Sequence, residues 1–266
     1  MDLNALTKLA DVRRQRIDDL RANPTPRVAL GICADLSGTM LTIEGGNFQR
    51  TGKTTVLDGH VFDVATGGIS RLNLLEDGLQ SLYQAIREDS AASYSAEVAV
   101  VSFNDRAACL QDFSTLDRQT KPPKLKAEGN TAMGEGLNLT LDLLEQRKQE
   151  FKDNGVDYYQ PMLVLLSDGE PSPGPQEEAE LARAEQRIRE LTSQRKLTVL
   201  SVGIGGDANM NVLRRFSSNN KAYRLNGLRF QDFFKWLGKS VVKTSQSLPG
   251  DRQELDISEI SSWEAL

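Results

Sequence analysis

The chain predicts an α/β fold: a doubly wound, mostly parallel sheet with one antiparallel edge strand and helices on both faces. Three observations predict it. Continuous apolar runs of strand length recur near residues 28–34, 97–103, 162–167 and 197–203, the pattern of strands covered on both sides. Segments with apolar side chains at helical spacing lie between them. The 266 residues, 39% hydrophobic and 26% charged, suffice for one sizeable core.

The elements follow in order. Residues 2–21 set Leu3, Leu6, Ala10, Ile17 and Leu20 on one helical stripe, which Arg13 interrupts and Asn23-Pro24-Thr25-Pro26 ends. A strand over 27–34 opens the core. A helix over about 70–88 carries Leu72, Leu75, Leu79, Leu82, Tyr83 and Ile86 along one face. Glu97 to Phe103 is a strand, with a hairpin partner at Ala107 to Phe113 across Asn104-Asp105-Arg106. A helix over about 132–152 turns Met133, Leu137, Leu141 and Leu144 inward.

Met162 to Ser167 is a buried parallel-type strand. Pro175 opens a charged helix ending near Arg195, with Glu177 and Glu178 in the turn where the helix dipole favours acids. Leu197 to Gly203 is the next strand, and Asp207 is placed to cap a short helix through Arg215. Ala222 to Leu225 is an edge strand, and a final helix from Leu228 to about Ser245 carries Phe230, Phe233, Phe234, Trp236 and Leu237. Alternating strands and helices imply right-handed crossovers. The organisation is an N-terminal helix and Pro-rich linker (1–26), the α/β domain (27–248) and an acidic tail (249–266).

The candidate chemistry starts where the first strand ends. Asp35-Leu36-Ser37-Gly38-Thr39 presents a carboxylate and two hydroxyls on one turn, the hard oxygen donors that a small divalent cation requires. Further donors fall at the same sheet edge: Thr131 at the start of the long helix and Asp168 after the strand 162–167. Ligands in open α/β sheets bind at the carboxyl ends of the strands.

On these residues the chain resembles the von Willebrand factor A (VWA) family with its metal-ion-dependent adhesion site. That motif is Asp-x-Ser-x-Ser/Thr, a distant Thr and a later Asp, matched by Asp35, Ser37, Thr39, Thr131 and Asp168. The resemblance implies a bound Mg²⁺, or Mn²⁺ or Ca²⁺. Ser37 and Thr39 would bind directly, Thr131 directly or through water, and Asp35 and Asp168 largely through water or hydrogen bonds. It implies a partner protein whose Asp or Glu completes the coordination, and no catalysis.

Asn154-Gly155-Val156-Asp157-Tyr158-Tyr159-Gln160-Pro161, Ser167-Asp168-Gly169-Glu170-Pro171, Val212-Leu213-Arg214-Arg215-Phe216 and Phe233-Phe234-Lys235-Trp236-Leu237 look like the bacterial TerY-like subgroup, tied to tellurite resistance and stress response. Relatives of that kind are often encoded beside a protein phosphatase or kinase, which implies such partners. The departure from the family is Leu41 to Gly68, where a few residues are usual. Its Gly45-Gly46 and Asp58-Gly59 turn signals, with alternation in Thr54 to Leu57 and His60 to Val64, predict a β-hairpin insert beside the metal loop.

Other function classes lose ground on named residues. Asp35-Leu36-Ser37-Gly38-Thr39 also resembles the nucleophile loop of haloacid-dehalogenase-type phosphatases, which would make Asp35 catalytic. Ser37, however, stands where that chemistry needs an acid/base. Thr51-Gly52-Lys53-Thr54 suggests a phosphate-binding loop, but Asn47 occupies the position of its first Gly and no apolar strand precedes it. His60 is the sole imidazole, so no Ser or Cys triad can be assembled.

Cys33 and Cys109, both in apolar strand-like segments, read as buried thiols without metal partners. Five acids against Arg252 after Pro249 account for most of the net charge of −5, and no basic cluster marks a nucleic-acid surface. No apolar run approaches the roughly 20 residues of a membrane span. Asp2, Asp11, Asp18 and Asp19 in an N-terminus without an apolar stretch speak against a leader, so the expectation is a cytoplasmic bacterial protein.

Overall fold

The computed structural model describes residues 17–57, 60–225 and 229–248, together with Ser258 and Ile260. Helix α1 covers residues 17–22. There follow β1 (Val28–Asp35), β2 (Ile43–Leu57), β3 (His60–Ser70), α2 (Arg71–Arg87), α3 (Ser90–Ser95), β4 (Ala96–Phe103) and β5 (Ala107–Thr115). The second half comprises α4 (Met133–Asp153), β6 (Met162–Ser167), α5 (Pro175–Ser193), β7 (Thr198–Ile204), α6 (Met210–Arg214), β8 (Ala222–Leu225) and α7 (Arg229–Ser245). The stripe of residues 2–16, the Asp58-Gly59 turn, Leu228 and nearly all of the acidic tail lie outside the described residues.

Six strands form one sheet in the order β5-β4-β1-β6-β7-β8. Every neighbouring pair is parallel except β4 and β5, so β5 is the antiparallel edge. The expected architecture is thus the observed one. All eight residues of β1 are buried. Alternation along it feeds two cores: Val28, Leu30, Ile32 and Ala34 join the cluster under α2 and α7, while Ala29 and Cys33 join the one under α4 and α5. Gly31 is where α4 comes closest, since a Cβ there would sit 2.9 Å from the Thr140 methyl.

At the N-terminal ends of the strands, Glu97 is clamped by Arg147 through two 2.7 Å hydrogen bonds and approached by Arg27 at 3.6 Å. All three side chains are buried, and Glu150 and Asp19 complete the charge compensation. This network fastens α4 and the strand ends opposite the candidate site.

Two local expectations need correction, and one short helix was not expected. The short helix α6 is capped by Asn209, whose side chain accepts from the Val212 N–H, and Asp207 instead pairs with Arg71. Cys109 is exposed, because β5 is an edge strand whose middle residues face solvent; only Cys33 is buried. Helix α3, capped by Asp89, is too short to show a helical period in the sequence.

Residues 43–57 and 60–70 form a separate two-stranded antiparallel ribbon, with register shifts on either side of Gly45 and between Arg50 and Thr54. Phe48, Val56 and Val61 are 48%, 65% and 69% exposed, so the ribbon stands clear of the core. Thr51-Gly52-Lys53-Thr54 lies in its exposed β2 strand and opens no helix, which removes the phosphate-loop reading.

Candidate functional site

The carboxyl ends of β1 and β6 are neighbours, paired through Ala34 and Leu166, which brings Asp35 beside Ser167 and Asp168. β1 ends at Asp35, and the chain turns through Ser37 into a short 3-10 turn, Gly38–Leu41. Asp35 is fully buried. One carboxylate oxygen accepts the Ser37 N–H at 2.9 Å and the other accepts the Ser167 hydroxyl at 2.6 Å. Ser167 itself accepts the Gly169 N–H at 2.9 Å, which shapes the turn after β6.

The two hydroxyls of the loop meet. Ser37 Oγ and Thr39 Oγ1 are 3.0 Å apart, and Thr39 donates to Asp168 Oδ2 at 2.6 Å. Asp168 Oδ1 accepts the Glu170 N–H at 3.2 Å. Four of the five predicted residues are therefore joined by hydrogen bonds across 129 positions of sequence.

Thr131 is buried, and its loop is laid against the first one by main-chain bonds. Glu128 N–H donates to the Leu36 carbonyl and Gly38 N–H to the Gly129 carbonyl, both at 2.9 Å. Ser172 brackets Thr131, its hydroxyl accepting the Thr131 N–H at 2.8 Å and its N–H donating to the Thr131 carbonyl at 3.0 Å. Asp105 holds the preceding residue through the Asn130 N–H and side-chain amide. Gly129 has φ +75°, and a Cβ there would overlap the Asp105 carboxylate.

Electrostatically the site is strained by its own acids. Burial pushes the Asp35 carboxyl up to about 7, and the facing Asp168 charge adds to the rise against the hydrogen bonds from Ser167 and Ser37. Two carboxylates and two hydroxyls converge here. That is an oxygen-rich set whose mutual repulsion a bound cation would relieve. Among the described residues no cluster of three His, Cys, Asp or Glu side chains offers a rival metal site.

Sequence reasoning missed Ser167 and Arg71. Arg71 is the first residue of α2 and almost fully buried, with its guanidinium 3.6 Å from Asp168 Oδ2 and 2.7 Å from Glu44 Oε1. Burial alone would lower its pKa, but Glu44, Asp207 and Asp168 outweigh that and raise it. The available signal was a cation in the first turn of a helix, where the dipole disfavours one.

These features define a class: an α/β domain with a polar, oxygen-lined site at the carboxyl ends of its central parallel strands. Residues 68–236 match the von Willebrand factor type A domain family, and the chain belongs to it. The matched span includes Thr131 and Asp168 and begins beyond Asp35, Ser37 and Thr39, which the long ribbon separates from it.

Solved structures share the fold at low identity. The PilB minor pilin from Streptococcus sanguinis is 16% identical with a TM-score of 0.55, covering 86% of this chain and 64% of that one. A von Willebrand factor type A protein from Catenulispora acidiphila is 18% identical with a TM-score of 0.51, covering 82% of this chain and 43% of its own. BatB from Bacteroides thetaiotaomicron is 14% identical with a TM-score of 0.50, covering 83% of this chain and 100% of that one. No curated protein sequence matches the chain.

Proposed function

We propose that this chain is a metal-dependent protein-binding module. The carrying observation is the convergence of Ser37, Thr39, Asp168 and Asp35 at the ends of two adjacent parallel strands, with the Thr131 loop bonded alongside. Ser37 and Thr39 would hold Mg²⁺ (or Mn²⁺ or Ca²⁺) by their hydroxyls, with Thr131, Asp35 and Asp168 completing and orienting its surroundings. The ion supplies positive charge with room for one more oxygen, which an Asp or Glu of a partner protein fills. The neighbouring ribbon presents Phe48, Val56 and Val61 to the same partner.

The segments 154–161 and 233–237 support a TerY-like assignment. The partner then belongs to a bacterial stress or tellurite-resistance system in the cytoplasm, with an operon-encoded phosphatase or kinase the first to test. Among the described residues no helix is long and apolar enough to cross a membrane. The dehalogenase-type alternative finds no support at Asp35. Both its oxygens accept hydrogen bonds, it is shut away from solvent, and Ser37 offers no proton transfer.

Calorimetric titration with Mg²⁺ and Mn²⁺ tests the reading. Wild type binds one ion, and Ser37→Ala/Thr39→Val binds none; equal heats from both proteins would refute it. A capture experiment with Mg²⁺ against EDTA then asks whether a prey depends on the ion.

A further inference from the structure

We propose that Arg71 is a resident counter-cation of the site: it steadies Asp168, opposes the divalent ion and so weakens its binding, and clasps the β2–β3 ribbon to the metal loop. The inference rests on the metal-binding reading above and adds what sets the affinity of that site.

Arg71 is placed at a cost. It occupies the first turn of α2, against the dipole, and its side chain is 3% exposed. A guanidinium keeps its charge at any working pH, so its burial demands anionic company. That company comes from three separate elements. Glu44 lies in β2, Asp207 in the loop after β7 and Asp168 in the turn after β6. Gly205, at φ +90°, lets the backbone close over the guanidinium where a Cβ would overlap it. The Arg71 N–H donates to the Thr42 carbonyl at 3.0 Å, so both ends of the ribbon are tied to this one residue.

Asp168 Oδ2 is the shared atom: it accepts from Thr39 and faces the Arg71 guanidinium. A divalent ion bound by Thr39 and Asp168 lies one carboxylate away from a fixed positive charge. Arg71 therefore does part of the ion's work in its absence and repels it on arrival. Its removal leaves Asp168, Glu44 and Asp207 uncompensated and makes the site a stronger cation trap.

The test uses the full chain and Mn²⁺ as probe, with affinity read by paramagnetic resonance or calorimetry. Ribbon protection is read by hydrogen exchange. Arg71→Gln and Arg71→Met are expected to bind Mn²⁺ roughly ten-fold tighter than wild type, a single like charge removed at short range. Both variants are also expected to exchange ribbon amides faster. Arg71→Lys, which keeps the charge, should stay close to the wild-type affinity. A role confined to packing cannot tighten binding.

Neutral variants that melt cooperatively yet bind Mn²⁺ equally or more weakly overturn the proposal, as does an Arg71→Lys that behaves like Arg71→Gln. Glu44→Gln covers the case in which the neutral variants fail to fold. It removes one of the three acids that neutralise the guanidinium, leaving Asp207 and Asp168, and should weaken Mn²⁺ a few-fold, while unchanged affinity overturns the idea. A wild type that binds no Mn²⁺ sinks the metal reading itself, and this inference with it.

Discussion

Asp35→Asn is expected to make the ion-free protein more stable, and the gain depends on pH. The Asp35 carboxyl rises from an ordinary 3.8 to about 7, mainly by burial and secondly through Asp168, and at pH 8 that shift corresponds to at most about 4 kcal/mol. The sign follows from proton release. Below about pH 4 folded and unfolded forms are both protonated and Asp35 contributes nothing. As pH rises toward 7 the unfolded chain releases its proton first, so stability falls, and the loss is complete above about 7.

Asn removes the charge while its amide still accepts the Ser37 N–H and meets the Ser167 hydroxyl. Rearranging that second bond costs about 1 kcal/mol. The net gain at pH 8 in EDTA is then about 2–3 kcal/mol, a rise in melting temperature of roughly 4–6 °C. Thermal denaturation at pH 8 and pH 5 reads it, with the gain much reduced at pH 5. With Mg²⁺ at a thousand times its Kd the order reverses, since only wild type gains about 4.1 kcal/mol from the ion. An Asp35→Asn protein less stable than wild type at pH 8 in EDTA, or a gain equal at both pH values, would refute the electrostatic account.

Ser167→Ala removes the hydrogen bonds to Asp35 and from Gly169, and should cost about 1–3 kcal/mol in a urea titration while weakening Mg²⁺ binding. Glu97→Ala leaves Arg147 and Arg27 in the interior with only Glu150 and Asp19 to compensate them, so a loss of about 3 kcal/mol is expected from the same titration. Gly134→Ala puts a Cβ 2.6 Å from the Leu181 backbone nitrogen, forcing α4 from α5 at a cost of about 1–3 kcal/mol. It should also lower Mg²⁺ affinity, because α4 begins two residues after Thr131. With a thiol reagent, the exposed Cys109 should react promptly in the native protein. Cys33, pushed up to about 12 by burial, reacts only after denaturation.

The sheet was legible because its strands announce themselves. β1, β4, β6 and β7 are apolar almost throughout, and only burial on both faces produces that pattern. The ends of those strands then point to Asp35 and Asp168 without further information. Ser167 was invisible for a physical reason: a hydroxyl at a strand end supports the site only if the neighbouring strand is in register, and register is a tertiary fact. Arg71 was harder still, since its three acids come from positions 44, 168 and 207. Asp207 misled because one acid before a short helix fits a cap and an ion pair equally well. Cys109 misled because apolar composition does not separate an edge strand from a central one.

The clasp at the base of the ribbon has a mechanical consequence. β2 leaves the domain beside Thr42 and β3 returns to it at Ser70, and the neck is closed by the Ile43–Ser70 pairing together with the bonds of Arg71 to Thr42 and Glu44. A pull on the ribbon's far end is shared by both strands, so the ribbon does not unzip under it. The load converges on the neck, and from there on the turn carrying Ser37 and Thr39 and on the first turn of α2. Tension along β2 reaches the oxygen-lined loop before it reaches β1, because the loop lies between them in the chain; main-chain bonds from Leu36 to Phe103 and from Gly38 to Gly129 anchor the loop. A displacement of the ribbon is thereby coupled, through Thr42 on one side and Arg71 on the other, to the turn carrying Ser37 and Thr39 and to the Asp168 carboxylate.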